Sequence, residues 1–229
     1  MIKGVGDMSE ELSINNSEKV EVELSAGEQR QIRLLSPRNL HLTIHQKQGS
    51  DLLLHAVSLA DEDAHISINV FQEEPDCTTA LYGLAFTRGK QVVNIETHVF
   101  HNVGHGKSSQ LFKNVLADDS RVSFYGELKV LPDAQKTEAF QTNRNLLLSR
   151  SAKVETRPQL EIYADDVKCS HGATTGQLDA NALFYMQQRG IPKEQAQRLL
   201  LQAFLEEVVQ TIPDEKFQAD VRRQINERL

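Results

Sequence analysis

Between Lys19 and about Tyr163, apolar residues recur at every second position in one short segment after another. This period of two is the pattern of half-buried strands, because successive side chains of a strand point to opposite faces. The segments follow one another at intervals of roughly 10 to 12 residues, which predicts an all-β sandwich, barrel or solenoid. The clearest of them are residues 40–44, 66–70, 93–99 and 122–130.

The connections between these segments distinguish the β architectures. Few of them carry the Asn-Gly or Asp-Gly pairs that two-residue hairpins favour, so a meander of hairpins is poorly supported. A β-helix, in which successive strands stack as coils, accounts better for their scarcity. The β region is therefore interpreted as a β-helix.

Near Asp179 the apolar period changes to 3.6, which is typical of amphipathic helices. Asp179 is the predicted N-cap of a first helix, and Gly190 is its predicted left-handed stop. A second helix is expected to open at Pro192 and to end before Pro213, and a third helix follows. The predicted apolar faces are Leu183, Phe184 and Met186 in the first helix, Ala196, Leu199, Leu200, Ala203, Phe204 and Val208 in the second, and Phe217, Val221, Ile225 and Leu229 in the third.

These patterns predict three parts: a flexible N-terminal segment at residues 1–18, a β-helix core at 19–165, and a C-terminal helical domain at 166–229. The predicted class is mainly β, with a small α-helical domain at the end. A chain of 229 residues is long enough to bury around 70% of its unfolded surface without disulfides or structural metals.

Charge and cysteine content exclude several function classes. The formal net charge of -7 leaves no positive surface of the kind that binds nucleic acid or anionic membranes. The two cysteines, Cys77 and Cys169, form neither a disulfide scaffold nor an all-cysteine zinc site, which favours a reducing compartment. Residues 1–17 lack the apolar core of a secretory signal, and no later segment is apolar enough to cross a bilayer. A soluble, cytoplasmic protein is expected.

Three histidines lie close together in sequence, at His98, His101 and His105. In an extended strand, positions 98 and 101 are an odd number apart, so their side chains point to opposite faces unless a bulge intervenes. A turn around Gly104 could still bring two of them together. Solvated or buried structural imidazoles are the favoured interpretation, and a metal site stays open as a weaker one.

Cys169 and His171 form a more specific pair, in the segment that joins the last predicted strand to the first helix. Their spacing of two places a thiol and an imidazole on one face of an extended segment, where they could share a soft metal such as iron. A buried cysteine beside a histidine at a strand end explains the same residues without a metal.

Several long blocks of sequence around this pair resemble one known family. They read LEIYADDVKCSHGAT at 160–174, GQLD at 176–179, LFYM at 183–186 and RGI at 189–191, with GKSSQLFK at 106–113 and DAQKTEAFQTNRNLLL at 133–148 further upstream. Together they resemble the SufB/SufD core family of the SUF system, which assembles iron-sulfur clusters. The resemblance is clear from about residue 98 to 209 and fainter from residue 20.

The resemblance implies a right-handed parallel β-helix followed by a helical domain. It implies that the SufC ATPase docks on the helices within 179–229, and that the β-helix edge pairs with the paralogue SufB or with a second copy in a homodimer. The histidine implicated in forming the nascent cluster with SufB maps onto His171, and Cys169 is the thiol of the same motif. SufB proteins usually carry acidic residues beside this histidine, where the chain has Ser170 and Gly172, so the resemblance favours the SufD branch.

The expected function is a non-catalytic scaffold subunit with no stably bound cofactor and with transient iron, or a transient cluster shared with SufB, at His171 and Cys169. An enzyme acting on polysaccharide and a purely structural homodimer are the alternatives. A polysaccharide site needs clustered acidic residues on one face, and the sequence shows no repeated acidic ladder. Family members usually begin with a helical domain and have a longer β-helix. The chain is therefore either a compact member or part of a longer design.

Overall fold

The computed structural model describes residues 18–229, so almost all of the predicted flexible segment at 1–18 lies outside the described residues. Within these residues, twelve strands are followed by three helices, which agrees with the predicted order of a β region and then three helices. The strands are β1 (Glu18–Leu24), β2 (Gln29–Leu35), β3 (Asn39–Gln46), β4 (Asp51–Ser58), β5 (Ala64–Gln72), β6 (Thr78–Thr87), β7 (Val92–His101), β8 (Lys107–Leu116), β9 (Arg121–Val130), β10 (Glu138–Leu147), β11 (Lys153–Ile162) and β12 (Lys168–Gly176). The helices are α1 (Ala180–Gln188), α2 (Lys193–Val209) and α3 (Glu215–Arg228).

The strands alternate between two parallel sheets. The odd-numbered strands form one sheet in the order β1-β3-β5-β7-β9-β11, called sheet B here, and the even-numbered strands form sheet A in the order β2-β4-β6-β8-β10-β12. Each strand therefore pairs with the strand two places along the chain, and the chain winds through about five turns. The predicted parallel β-helix followed by helices is confirmed.

The core of the β-helix lies between the inward faces of the two sheets. Because the strands are in register, equivalent positions of successive coils stack into rows. One apolar row of sheet B consists of Val22, Ile44, Val70, Val99, Leu128 and Leu160. Alternation of inward apolar and outward polar residues thus produces both the period of two and the stacked core.

Helices α2 and α3 pack on the outer face of sheet A and bury a second apolar cluster there. The predicted face of α3 is correct for Phe217, Val221 and Ile225, which are buried. The predicted face of α2 is partly wrong, because Leu199 is 41% exposed and Ala203 is exposed as well. The leucines of α2 are consecutive, so the period does not select one face. The side chains that α2 buries are Ala196, Leu201, Leu205, Val208 and Val209.

Two boundaries of the first helix agree with the prediction, and one strand extends further than expected. The side chain of Asp179 caps α1 by accepting hydrogen bonds from the backbone N-H groups of Asn181 and Ala182, and Gly190 has a φ of 83°. Strand β12 lies after residue 165, where the helical domain was expected to begin. Its small and polar residues give no apolar alternation and predict a connecting segment, yet the strand pairs with β10 along its whole length.

Candidate cluster-assembly site

Cys169 and His171 lie on β12, the last strand of sheet A. Among residues 18–229, this strand pairs along one edge only, with β10, and its other edge is open. The register aligns Cys169 with Ala139 and His171 with Gln141. Ala139 and Gln141 are buried between the sheets, so the two candidate residues share the inward-facing side of the final coil, as their spacing predicts.

The environment of Cys169 differs from that of His171. Cys169 packs against the main core and against a smaller cluster formed by Val130, Ala134 and Ala164. Burial raises the pKa of the Cys169 thiol, which keeps this thiol in its protonated form at neutral pH. Because a thiolate is the metal ligand, Cys169 in this environment is a poor ligand until its surroundings change.

His171 is exposed although it lies on the inward-facing side, because no further coil covers the end of the β-helix within the described residues. Its imidazole is therefore open to a partner or a metal, while Cys169 two residues away is half-buried. The structure places the pair on one surface of the final coil, with one donor accessible and one covered.

Two histidines of the weaker metal hypothesis, His98 and His101, lie on opposite faces of β7, and His105 lies in the exposed turn that follows. His98 lies on the outer face of sheet B, where its Nδ1 is 2.8 Å from Oε2 of Glu127. His101 lies in the core, where its Nε2 is 2.8 Å from Oγ of Ser108, and burial lowers its pKa to about 4. In the part of the chain that the structure describes, no group of three or more His, Cys, Asp or Glu side chains could hold a metal.

Two acidic side chains share the outer face of sheet B, which the sequence pattern did not indicate. Glu127 and Glu161 lie on that face, but each is paired. Glu127 contacts His98, and Glu161 accepts from Nζ of Lys129 at 2.9 Å. The two free carboxylates that glycoside hydrolysis needs are therefore not offered by this pair.

Buried polar side chains join the helices to the β-helix, and the sequence analysis missed them. Lys113 and Arg33 point outward from sheet A. Nζ of Lys113 donates to the backbone carbonyl of Phe204 at 2.8 Å, and Arg33 pairs with Asp214 at 2.5 Å. His55, also on this face, lies 2.9 Å from Oγ1 of Thr211. In the sequence, the only sign of these contacts is a charged residue at an outward position of an alternating strand. Such a residue is also expected where the strand faces solvent.

The α1 helix has a different character, because none of its side chains is buried. Phe184 and Tyr185 are 62% and 60% exposed, and Leu199 on α2 is 41% exposed. The guanidinium of Arg189 lies 5.1 Å from the centroid of the Tyr185 ring. Exposed groups of large apolar side chains are typical of interaction surfaces.

No helix among residues 18–229 has the length and apolar character that a membrane span requires. Residues 35–204 match the family model described as "SUF system FeS cluster assembly, SufBD core domain". This match includes the inward-facing Cys169 and His171 and the surface of α1.

Three curated proteins show the same relationship. The chain is 41% identical over 152 residues to the iron-sulfur cluster assembly protein SufD of Escherichia coli, covering 66% of the chain and 36% of that protein. It is 36% identical over 180 residues to a SufBD family protein of Synechocystis, covering 79% of the chain and 40% of the relative. It is 34% identical over 183 residues to "Protein ABCI7, chloroplastic" of Arabidopsis thaliana, covering 80% of the chain and 38% of that protein.

The chain thus spans less than half the length of these relatives. The family match nevertheless extends from β3 through β12 and α1 and into α2 as far as residue 204. The chain belongs to the SufBD core family of the SUF iron-sulfur cluster assembly system and is SufD-like.

Proposed function

We propose that this chain is a non-catalytic, SufD-like subunit of a SufBCD scaffold on which iron-sulfur clusters are assembled. The observation that carries the proposal is the position of Cys169 and His171 on one side of β12, at the end of the β-helix. Family membership supports the role of a scaffold subunit. The cytoplasm is the expected compartment, although one relative is named as chloroplastic.

The open edge of β12 is the proposed contact for SufB. Strand β11 also ends its sheet, but it contains Pro158, which lacks a backbone N-H group, and alternating charged residues. Proline and charge both discourage the addition of another strand. Strand β12 carries one charged side chain, Lys168, among small and polar residues. Its edge therefore suits strand addition better.

Iron or a nascent cluster would be cargo at this contact. His171 supplies an accessible imidazole and Cys169 a thiol, which are suitable ligands for iron. Two donors are too few to enclose a cluster, so the partner subunit supplies the remaining ligands. Because burial raises the pKa of Cys169, a rearrangement of the final coil has to precede its use as a thiolate.

The helices within 179–229 are the proposed docking site of the SufC ATPase. Support comes from Phe184 and Tyr185, which are large, apolar and exposed on α1. Helices α2 and α3 are fixed to sheet A by apolar packing and buried polar contacts. A force applied to these helices by a moving ATPase would therefore be transmitted to the β-helix.

The proposal is tested by cluster formation in a complex of this chain with SufB-type and SufC-type partners. We expect His171→Ala to reduce cluster formation strongly without dissociating the complex, because it removes a ligand and leaves the strand edge intact. His41→Ala, an exposed histidine on β3, is the control and should behave like the wild type. Unchanged cluster formation in His171→Ala would refute the assigned site.

Docking of SufC has its own test. We expect Phe184→Ser to weaken binding of a SufC-type ATPase, measured by co-purification and calorimetry, while the unfolding temperature changes little because Phe184 is 62% exposed. The homodimer alternative is tested by sedimentation of the chain alone, because the open edge of β12 can also pair with a second copy. A stable homodimer that binds neither partner would favour the purely structural alternative.

A further inference from the structure

One inward-facing row of sheet A changes from apolar to polar along the β-helix. The register of the strands stacks Ile32, Leu54, Leu81, Gln110, Gln141 and His171 in that order, one from each coil. The first three are fully buried and apolar. The last three are polar, and the row ends at the candidate site.

The facing positions of sheet B are adapted to these glutamines. Oγ1 of Thr97 donates to Oε1 of Gln110 at 2.8 Å. One coil further, Gly126 stands opposite Gln141, and a Cβ atom at position 126 would lie 2.2 Å from Nε2 of Gln141. Glycine weakens the interior of a strand and often marks a close approach. The glycine in β9 is therefore explained by the room that the Gln141 amide occupies.

Gln141 is 1% exposed, and neither its Nε2 nor its Oε1 has a hydrogen-bond partner. A buried amide left without partners is destabilising, so an unpartnered side chain in the core requires an explanation. The nitrogen is directed at Gly126, which leaves the carbonyl oxygen as the free acceptor. The next side chain in the row is His171.

We propose that Gln141 is a positioning residue for His171. Aligned residues of neighbouring strands are about 4.8 Å apart, within reach of a glutamine side chain. In the structure Oε1 of Gln141 has no partner, and the exposed ring of His171 turns about its side-chain torsions to donate one ring N-H to it, which fixes the tautomer and leaves the other nitrogen unprotonated. Metal-binding histidines are commonly held in this way by an acceptor on their second nitrogen. The inference rests on the proposed function of His171.

The experiment reads the tautomer of His171 directly. The whole chain is labelled with ¹⁵N-histidine, its ring nitrogens are recorded by long-range ¹H-¹⁵N NMR at neutral pH, and His171→Gln assigns the signal. We expect one tautomer in the wild type, a mixture in Gln141→Met, and the wild-type tautomer in Gln141→Glu, which keeps an acceptor. Gln110→Met is the matched control. Gln110 is buried in the same row, but it is aligned with Gln141 and is not a neighbour of His171.

The same tautomer mixture in the wild type and in Gln141→Met would overturn the inference, and so would a reversed tautomer in Gln141→Glu. In the assembled complex we expect Gln141→Met to bind iron or cluster about tenfold more weakly, with Gln110→Met near the wild type. If the tautomer responds to Gln141 while His171→Ala leaves cluster formation intact, the positioning role stands and the proposed function fails. The two failures are therefore distinguishable.

Discussion

Nζ of Lys113, on the outer face of β8, donates a hydrogen bond of 2.8 Å to the backbone carbonyl of Phe204 in α2. The same ammonium group pairs with Glu207 and lies 4.4 Å from the centroid of the Phe204 ring. Lys113 is 2% exposed, so water cannot replace these partners. A buried cation, together with the apolar cluster around it, thus joins the helices to the β-helix.

Replacing Lys113 with methionine should lower the free energy of unfolding by about 2 kcal/mol, because the carbonyl of Phe204 loses this donor and Glu207 keeps only its longer contact with Arg144, at 3.2 Å. Methionine keeps most of the volume of the lysine stem, so little of the loss arises from a cavity. Chemical denaturation measures the difference. Lys107→Met, at an exposed position on the same face of β8, should change stability by no more than about 0.5 kcal/mol. Equal effects of the two variants would contradict the role of Lys113.

The sequence predicts the β-helix well, because each coil repeats the same physical requirement. Inward positions such as Ile44 and Val70 must be apolar, and this produces the period of two. The contacts of the helices are harder to predict. Lys113 occupies an outward position, where a charged residue indicates solvent, and only the tertiary structure places α2 over it. Amphipathic period alone cannot choose among the adjacent leucines of α2.

His55 should make the stability depend on pH. Burial lowers its pKa from 6.5 to about 4, so the folded state binds fewer protons than the unfolded state between these values. Stability is therefore complete above pH 6.5 and decreases as the pH falls towards 4. The contribution of His55 to this loss should be about 2 kcal/mol between pH 7 and pH 5. Urea unfolding at both pH values measures it.

His55→Gln should reduce this pH dependence but not remove it. The second buried histidine, His101, also has its pKa lowered by burial to about 4 and contributes in the same direction. The free energy of unfolding of the double variant His55→Gln, His101→Gln should accordingly depend less on pH than that of either single variant. A wild-type chain that is as stable at pH 5 as at pH 7 would show that these imidazoles are not buried.

Gly83→Ala tests the packing of the coils. A Cβ atom at Gly83 would lie 2.2 Å from two atoms of the Phe112 ring, which is fully buried. Such overpacking should cost about 1–3 kcal/mol, measured by thermal and chemical unfolding. Gly176→Ala is the control, since a Cβ atom there meets no other atom within 4 Å. Gly176→Ala should leave the free energy of unfolding unchanged. A loss of stability comparable to that of Gly83→Ala would indicate a backbone effect instead of a clash.

The candidate site was predictable only in part. The spacing of Cys169 and His171 places them on one face of an extended segment, and the structure agrees. The glutamine next to His171 was not predictable, because a polar residue in an alternating strand indicates the outward face. Gln141 points inward, and only the register of β10 against β12 shows which side chain it neighbours.

Asp179→Ala should loosen α1 without unfolding the protein. Oδ1 of Asp179 accepts from the backbone N-H of Asn181 at 2.8 Å, and loss of such a cap costs about 1 kcal/mol of helix stability. Because α1 buries none of its side chains, the loss should appear as faster hydrogen exchange at Asn181 and Ala182, with the global unfolding temperature unchanged.

Asp214→Ala provides the matched comparison, since Asp214 caps α3 by accepting from the N-H of Phe217 at 2.8 Å and also pairs with buried Arg33. Helix α3 buries Phe217, Val221 and Ile225, so this variant should lower the global stability by roughly 2 kcal/mol or more, because it removes a cap and an ion-pair partner. A global loss in Asp179→Ala would contradict an independent α1. If α1 is the surface on which the ATPase docks, Asp179→Ala should also weaken that binding, because a frayed helix must be ordered again when the partner binds.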